Sequence, residues 1–109
     1  MNYTIELSGG KNKFPVVRFD DERYELISEF LIAERGLIGQ FLKVLEEIEE
    51  SNDTQTELSG NAFTVTADNN RSLIRCDIDD RTAEADTSEL ISVMTAYIRS
   101  NVNNPPRLM

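Results

Sequence analysis

The chain has 109 residues, and its eleven Lys and Arg against twenty Asp and Glu give a formal net charge of −9. The single cysteine excludes an internal disulfide, and the absence of histidine removes the commonest general base and the commonest metal ligand. Because an acidic chain repels phosphates, the composition disfavours direct binding of DNA or RNA and favours a basic partner. Many proteins are acidic only because charge keeps them soluble, so the net charge does not distinguish solubility from binding of a basic partner.

The chain length suits a single domain, which we predict over residues 1–100. Residues 101–109 include Pro105 and Pro106 and are predicted to form a flexible tail. No apolar run is long enough to span a membrane, and the first residues lack the basic start and apolar stretch of a signal peptide. We therefore expect a cytoplasmic protein that binds no membrane.

The N-terminal part predicts a β-hairpin. Apolar and polar residues alternate over residues 3–7, as they do in a half-buried strand. Residues 14–19 form a second β-type run, in which Pro15 favours the start of a strand or an edge. The turn-rich segment 8–13 between the two runs completes the hairpin.

Two helices are predicted next. Acidic residues at 20–22 suit a helix start, and the apolar residues of 24–33 suit a short buried helix, with a strand as the alternative. Gly36 interrupts that pattern. Residues 37–48 then carry apolar side chains at helical spacing, which makes this the strongest predicted helix, and residues 51–53 end it.

The C-terminal half predicts three strands, a connection and a helix. The strands, at 54–58, 62–67 and 72–78, are separated by turn residues, which indicates an antiparallel meander. The acidic segment 77–86 is expected to be a loop, and the last helix carries its apolar stripe over 90–98. Asp86 or Thr87 is expected to cap this helix, with Glu89 reaching back as in a capping box. The residues expected to face inward are Phe63, Val65 and Ala67 in the middle strand and Ile74, Cys76 and Ile78 in the last strand.

The element order is therefore two strands, one or two helices, three strands and a final helix. Strands and helices do not alternate one by one, which favours an α+β fold. We predict a mostly antiparallel sheet, built from an N-terminal hairpin plus a three-stranded meander, packed with two to three helices.

The residues do not fit the common metal-binding and catalytic patterns. A calcium loop starting at Asp77 needs glycine at its sixth position and glutamate at its twelfth, where Thr82 and Ser88 stand. A loop starting at Asp68 fails in the same way. Without histidine a Ser-His-Asp or Cys-His arrangement is impossible, and the Gly-Gly pair at 9–10 lacks the spacing of a phosphate loop. We predict no catalytic residue, no metal and no cofactor, and a small enzyme that uses paired carboxylates is the least favoured alternative.

Carboxylates cluster in the segments 20–34, 46–57 and 77–89. Each cluster suits a solvated surface or an acidic docking surface, whose charge complementarity to a basic partner speeds association and fixes register. The third cluster is the strongest candidate, because a connection held between a strand and a capped helix presents its carboxylates with limited freedom. The predicted partner-binding residues are Asp20, Asp21, Glu46, Glu50, Asp77, Asp79, Asp80, Glu84 and Asp86.

Three segments carry a family resemblance. They are residues 25–32 (ELISEFLI), residues 59–65 (SGNAFTV) and residues 87–90 (TSEL), the last standing before the terminal amphipathic helix. Together they resemble small bacterial immunity proteins found beside polymorphic toxins, including those of contact-dependent growth inhibition systems. The resemblance covers roughly residues 20–100. The matching segments are structural elements (a turn, a strand and a helix cap), so the resemblance does not identify which residues contact a partner.

The resemblance implies a single-domain cytosolic protein that binds one cognate toxin domain. Such toxins are often basic nucleases, and many immunity proteins cover the active site or the substrate cleft. The acidity of the chain and its lack of catalytic patterns agree with this function. The sequence leaves open the identity of the toxin, the oligomeric state, and an alternative function as a non-catalytic acidic adaptor or regulatory subunit.

Overall fold

The computed structural model describes residues 1–7, 14–51 and 54–103, with side chains described up to residue 100. Three segments lie outside the described residues. They are the predicted turn at 8–13, residues 52 and 53 after the second predicted helix, and residues 104–109 of the predicted tail. The described elements are β1 (Tyr3–Leu7), β2 (Pro15–Phe19), a 3₁₀ helix (Glu22–Tyr24), α1 (Glu25–Ala33), α2 (Ile38–Glu49), β3 (Thr56–Ser59), β4 (Phe63–Ala67), β5 (Arg71–Cys76), β6 (Thr82–Asp86) and α3 (Thr87–Asn103).

The described strands form two antiparallel sheets. β1 and β2 make the predicted N-terminal hairpin, and β3, β4, β5 and β6 form a four-stranded sheet in sequence order. The predicted α+β class with a mostly antiparallel sheet is therefore confirmed. At residues 24–33 the chain forms a helix, α1, and not the alternative strand.

The predicted three-stranded meander has a fourth strand. Residues 82–86 were expected to lie in a loop, and they form β6 instead. Ala83 and Ala85 point into the core and lie opposite Ile74 and Ser72 of β5, so the segment has the alternation of a half-buried strand. Alanine is depleted in strands, so the sequence of this segment gives only a weak indication of a strand.

The four-stranded sheet buries one face and exposes the other. The inward residues predicted for β4 are all buried, as are Ile74 and Cys76 of β5. Antiparallel sheets commonly divide in this way, with one face on the core and one in water. The exposed side chains of the opposite face are Glu57, Ser59, Arg71, Arg75, Thr82, Glu84 and Asp86.

Helices cover the buried face of the sheet. α1 and α3 both contact β2, β5 and β6, and α2 packs against α3. The ring of Phe30 lies edge-on to the ring of Phe41 at a centroid distance of 5.1 Å and to the ring of Phe63 at 5.7 Å. Edge-to-face contacts of this kind are favourable beyond the area they bury. They join α1, α2 and β4 at the centre of the core.

Candidate protein-interaction surface

The turn between β5 and β6 presents one isoleucine among three carboxylates. We call residues Asp77–Asp80 the Ile78 turn. The Asp80 N–H donates to the Cys76 carbonyl at 2.8 Å, and the Asp77 N–H donates to the Ala62 carbonyl at 2.8 Å. Asp80 has φ 62°, in the left-handed region that aspartate tolerates better than most residues. These constraints reverse the chain after β5 and hold the turn against the start of β4.

Ile78 is exposed, which makes its predicted inward position wrong. The strand ends at Cys76, so Ile78 falls in the turn and not on the buried face. Its side chain is 83% exposed, against 4% for Cys76. The alternation that predicts an inward Ile78 requires a continuous strand, and the turn ends that alternation two residues earlier.

The carboxylates of the Ile78 turn are fixed by neighbouring side chains. The Thr64 hydroxyl donates to Asp77 at 2.9 Å, and Arg75 lies 3.5 Å from the same carboxylate. Arg81 joins the turn to α1, because its guanidinium donates to Asp79 at 2.7 Å and to both oxygens of Glu29 at 2.9 Å. The sequence predicts Asp77, Asp79 and Asp80 as neighbours but gives no sign of the contribution of Glu29.

The hydrogen bonds in the turn shift two ionisation equilibria. The backbone N–H of Arg81, together with its side chain, lowers the pKa of Asp79, although partial desolvation opposes that shift. Hydrogen bonds to Glu29 and then to Asp79 raise the pKa of Arg81. Both shifts favour the charged forms of Asp79 and Arg81, which are the forms that make the ion pair between them.

An apolar depression lies beside the Ile78 turn. It has a volume of about 380 Å³, and we call it the α1 depression. Glu29, Asp79 and Arg81 supply its charged lining. Its apolar lining comes from α1, the start of β4, the end of β5 and the turn: Ile32, Ala33, Ala62, Phe63, Cys76 and Ile78.

A buried carboxylate ties together two walls of the α1 depression. Glu34, the residue that follows α1, has a side chain with no exposed surface. It accepts hydrogen bonds from the backbone N–H groups of Asn61 at 2.8 Å, Ala62 at 2.8 Å and Phe63 at 3.0 Å. A buried charge is tolerated when it is hydrogen-bonded in this way. Glu34 thus holds the β3–β4 turn against the end of α1.

Glu84 and Asp86 lie on the exposed face of β6, away from the loop in which the sequence places them. Arg71 of β5 pairs with Asp86 at 2.7 Å and with Glu84 at 3.7 Å. These cross-strand ion pairs give both carboxylates of β6 a partner within the chain. The same sheet face continues to Thr64, whose hydroxyl donates to Asp77, so Asp77 adjoins this face, whereas Asp86 lies at the end of β6 farther from the Ile78 turn.

Thr87 and Glu89, which the sequence predicts as part of the cap of α3, make tertiary contacts. The Thr87 hydroxyl donates to the Asp68 carbonyl at 2.8 Å and lies 2.8 Å from the Ser72 hydroxyl. Glu89 accepts a hydrogen bond from the Met1 ammonium group at 2.6 Å. These contacts join α3 to the β4–β5 turn and to the N-terminal hairpin.

The other four predicted partner-binding residues lie on different elements. The Asp21 side chain caps the 3₁₀ helix, accepting from the Arg23 N–H at 3.0 Å, and Asp20 is exposed beside it. Glu46 on α2 and Glu50, the residue that follows α2, are exposed and form no ion pair with any residue that the structure describes. The structure therefore divides the predicted set into one group around the Ile78 turn and β6 and two separate pairs.

Neither a metal cluster nor a membrane helix is found in the described part of the chain. Its residues include no group of three or more Cys, Asp or Glu side chains arranged to hold a metal ion. None of its helices is both long enough and apolar enough to cross a membrane.

Comparison with protein-family models, curated proteins and solved structures finds no match to this chain. The resemblance to immunity proteins therefore stays a prediction. The functional argument depends on the geometry and charge of the surface around the Ile78 turn.

Proposed function

We propose that the protein is an immunity protein that binds and neutralises a cognate bacterial toxin domain, a basic nuclease, by covering its active site or substrate-binding surface. The main support is the Ile78 turn, where an 83% exposed isoleucine stands among three carboxylates next to an apolar depression. Solvent-exposed apolar side chains surrounded by charge are typical of protein interfaces, which combine an apolar centre with a polar surround.

Electrostatics favours a basic partner over a neutral one. The net charge of −9 attracts a positively charged protein from a distance and raises its rate of encounter. A nuclease cleft is basic because it binds phosphates, so carboxylates placed in that cleft occupy the positions of the substrate's negative charges. The protein neither cuts nor modifies the toxin in this mechanism; it acts by occupancy.

The test is co-expression with the product of an adjacent gene, followed by purification of the complex and a nuclease assay. The turn variant carries Asp77→Asn, Asp79→Asn, Asp80→Asn and Glu84→Gln. Its matched control carries Glu22→Gln, Glu25→Gln, Glu47→Gln and Glu49→Gln, which removes the same number of charges at exposed positions outside the predicted partner-binding set. We expect the turn variant to lose affinity and neutralisation and the control to retain both.

Three outcomes contradict parts of this proposal. Absence of binding to the product of any adjacent gene overturns it. Equal loss of affinity in both charge variants shows that overall acidity, and not the Ile78 turn, drives the association. Binding to a metabolic enzyme of the same operon without inhibition supports the alternative function as an acidic adaptor or regulatory subunit.

A further inference from the structure

We infer that the α1 depression receives an apolar side chain of the partner that has a lysine or arginine next to it in sequence. This inference rests on the proposed function and specifies the partner's binding element. The partner is a basic protein, and the occupant is an aliphatic residue on an exposed segment of its surface.

The first support is the exposure of Ile78. Two large apolar side chains are exposed in the described part of the chain, Leu7 at 41% and Ile78 at 83%. Ile78 adjoins an apolar recess, because it forms part of the lining of the α1 depression. A partner side chain in that recess removes Ile78 and the recess from water together, and burial of apolar surface is the main favourable term in association.

The second support is the size of the recess. Its volume of about 380 Å³ is at the lower end of the range found for ligand sites, roughly 300–1,000 Å³. A recess of this size suits one or two side chains and not a whole helix. Its lining residues Ile32, Ala62 and Phe63 are aliphatic or aromatic at their contact surfaces, which favours an aliphatic occupant over a polar one.

The third support is the charge around the recess. The carboxylates of Glu29, Asp77, Asp79 and Asp80 outnumber the guanidinium groups of Arg75 and Arg81 that pair with them. Those two arginines contact the first three carboxylates, whereas Asp80 forms no ion pair with the residues that the structure describes. The excess negative charge, centred on Asp80, is complementary to a cation beside the apolar residue of the partner.

The fourth support is the rigidity of the recess. Glu34 fixes the backbone of Ala62 and Phe63 through its hydrogen bonds, and the Arg81–Glu29 pair fixes the turn against α1. A recess held from two sides needs little reorganisation on binding, and preorganisation of this kind raises affinity.

The direct test is an NMR titration of the whole chain with a blocked pentapeptide that carries leucine between two lysines. We expect amide shifts centred on Ala62, Phe63 and Ile78. The same peptide with serine in place of leucine is expected to bind several-fold more weakly. Equal binding of the two peptides, or shifts spread over the glutamates of α2, overturns the inference.

Substitutions at exposed positions make the test specific. Ile78→Ser removes the exposed apolar side chain, and Leu7→Ser is its matched control at the other exposed apolar position. Ala33→Gln fills the recess without adding charge, and Ser92→Gln is its control at an exposed position of α3. We expect each test variant to weaken peptide binding about tenfold and each control to leave it unchanged. Because all four positions are exposed or partly exposed, thermal unfolding of the variants confirms that they fold.

The inference and the proposed function fail in different ways. A toxin complex whose affinity is unchanged by Ile78→Ser and Ala33→Gln overturns the inference and leaves the immunity function standing. Specific binding of the leucine peptide together with no binding of any adjacent-gene product supports the inference about the recess and overturns the immunity function.

Discussion

The carboxylate of Glu34 lies so close to Gly60 that a β-carbon built on Gly60 would stand 2.5 Å from Glu34 Oε1. The hydrogen bonds from Asn61, Ala62 and Phe63 hold that carboxylate in place, so it cannot move aside at low cost. The glycine therefore provides the space in which the β3–β4 turn closes around a buried charge.

Glu34→Gln is expected to lower the free energy of unfolding by about 1–3 kcal/mol. The amide keeps one acceptor oxygen, but its NH₂ group faces a backbone N–H that then has no acceptor. Urea denaturation monitored by circular dichroism measures the change. Glu50→Gln, at the exposed position that follows α2, is the control and is expected to change stability by less than about 0.5 kcal/mol. Equal stability of the two variants contradicts a structural role for the carboxylate.

Gly60→Ala is expected to destabilise the wild-type chain strongly and a Glu34→Ala chain much less. The added methyl group collides with the carboxylate only when the carboxylate is present. A double-mutant cycle built from the four chains therefore gives a coupling energy between the two positions of at least about 1 kcal/mol. Additive effects contradict a steric conflict between the added methyl group and the Glu34 carboxylate.

Tyr97→Phe is expected to leave the protein as stable as the wild type or more stable by about 1 kcal/mol. Tyr97 is 2% exposed, and its hydroxyl has no hydrogen-bond partner in the described part of the chain. Removing an unpaired buried hydroxyl removes its desolvation cost. A loss of more than about 1 kcal/mol in urea denaturation contradicts the prediction and indicates a partner for the hydroxyl.

The difference in stability between Tyr97→Phe and the wild type is expected to grow at alkaline pH. Burial raises the pKa of Tyr97 above its usual 10.0, so the folded state resists ionisation that the unfolded state allows. The wild type therefore loses stability as pH rises from 10.0 through the folded-state pKa, and phenylalanine has no such loss. Thermal unfolding on both sides of this pH measures the difference.

Asp68→Asn is expected to lessen the loss of stability in acid. The backbone N–H groups of Arg71 and Asn70 lower the pKa of Asp68 from its usual 3.8. Its contribution to stability is complete above pH 3.8 and is lost as pH falls through the lower folded-state pKa. Urea denaturation between about pH 5 and 2 is expected to show the wild-type and variant curves converging as pH falls. Parallel curves contradict this assignment.

The sequence predicts most of the fold because its strongest signals are local. Alternation places Phe63, Val65 and Ala67 on the inner face of β4, and helical spacing over residues 37–48 identifies α2. These patterns predict elements well when one face is clearly apolar. β6 has no such face, because its inward residues are the small side chains of Ala83 and Ala85.

The surface around the Ile78 turn is predicted in part. The sequence places Asp77, Asp79 and Asp80 close together because they lie within four consecutive residues, whatever the fold. Glu29 joins them from a different element, through Arg81, and no local pattern reports a contact between residues 52 positions apart.

Glu34 lies in one of the predicted acidic clusters, but its burial is not predictable from its neighbours. Charged residues are rarely fully buried, so an acidic side chain after a helix is expected to be solvated. The residue that makes room for the Glu34 carboxylate is Gly60, in a turn distant from Glu34 in sequence. Only the tertiary structure brings these two positions together.

The backbone amides that Glu34 binds lie 27 to 29 positions from it along the chain. The tip of a hairpin ordinarily frays first, and its amide hydrogens exchange with solvent by local opening. Because α1 positions the acceptor of these amides, we expect the β3–β4 tip to stay closed until the end of α1 detaches from it. Hydrogen exchange at Asn61, Ala62 and Phe63 is then expected to follow the release of the helix, so that the hairpin and α1 open as one cooperative unit.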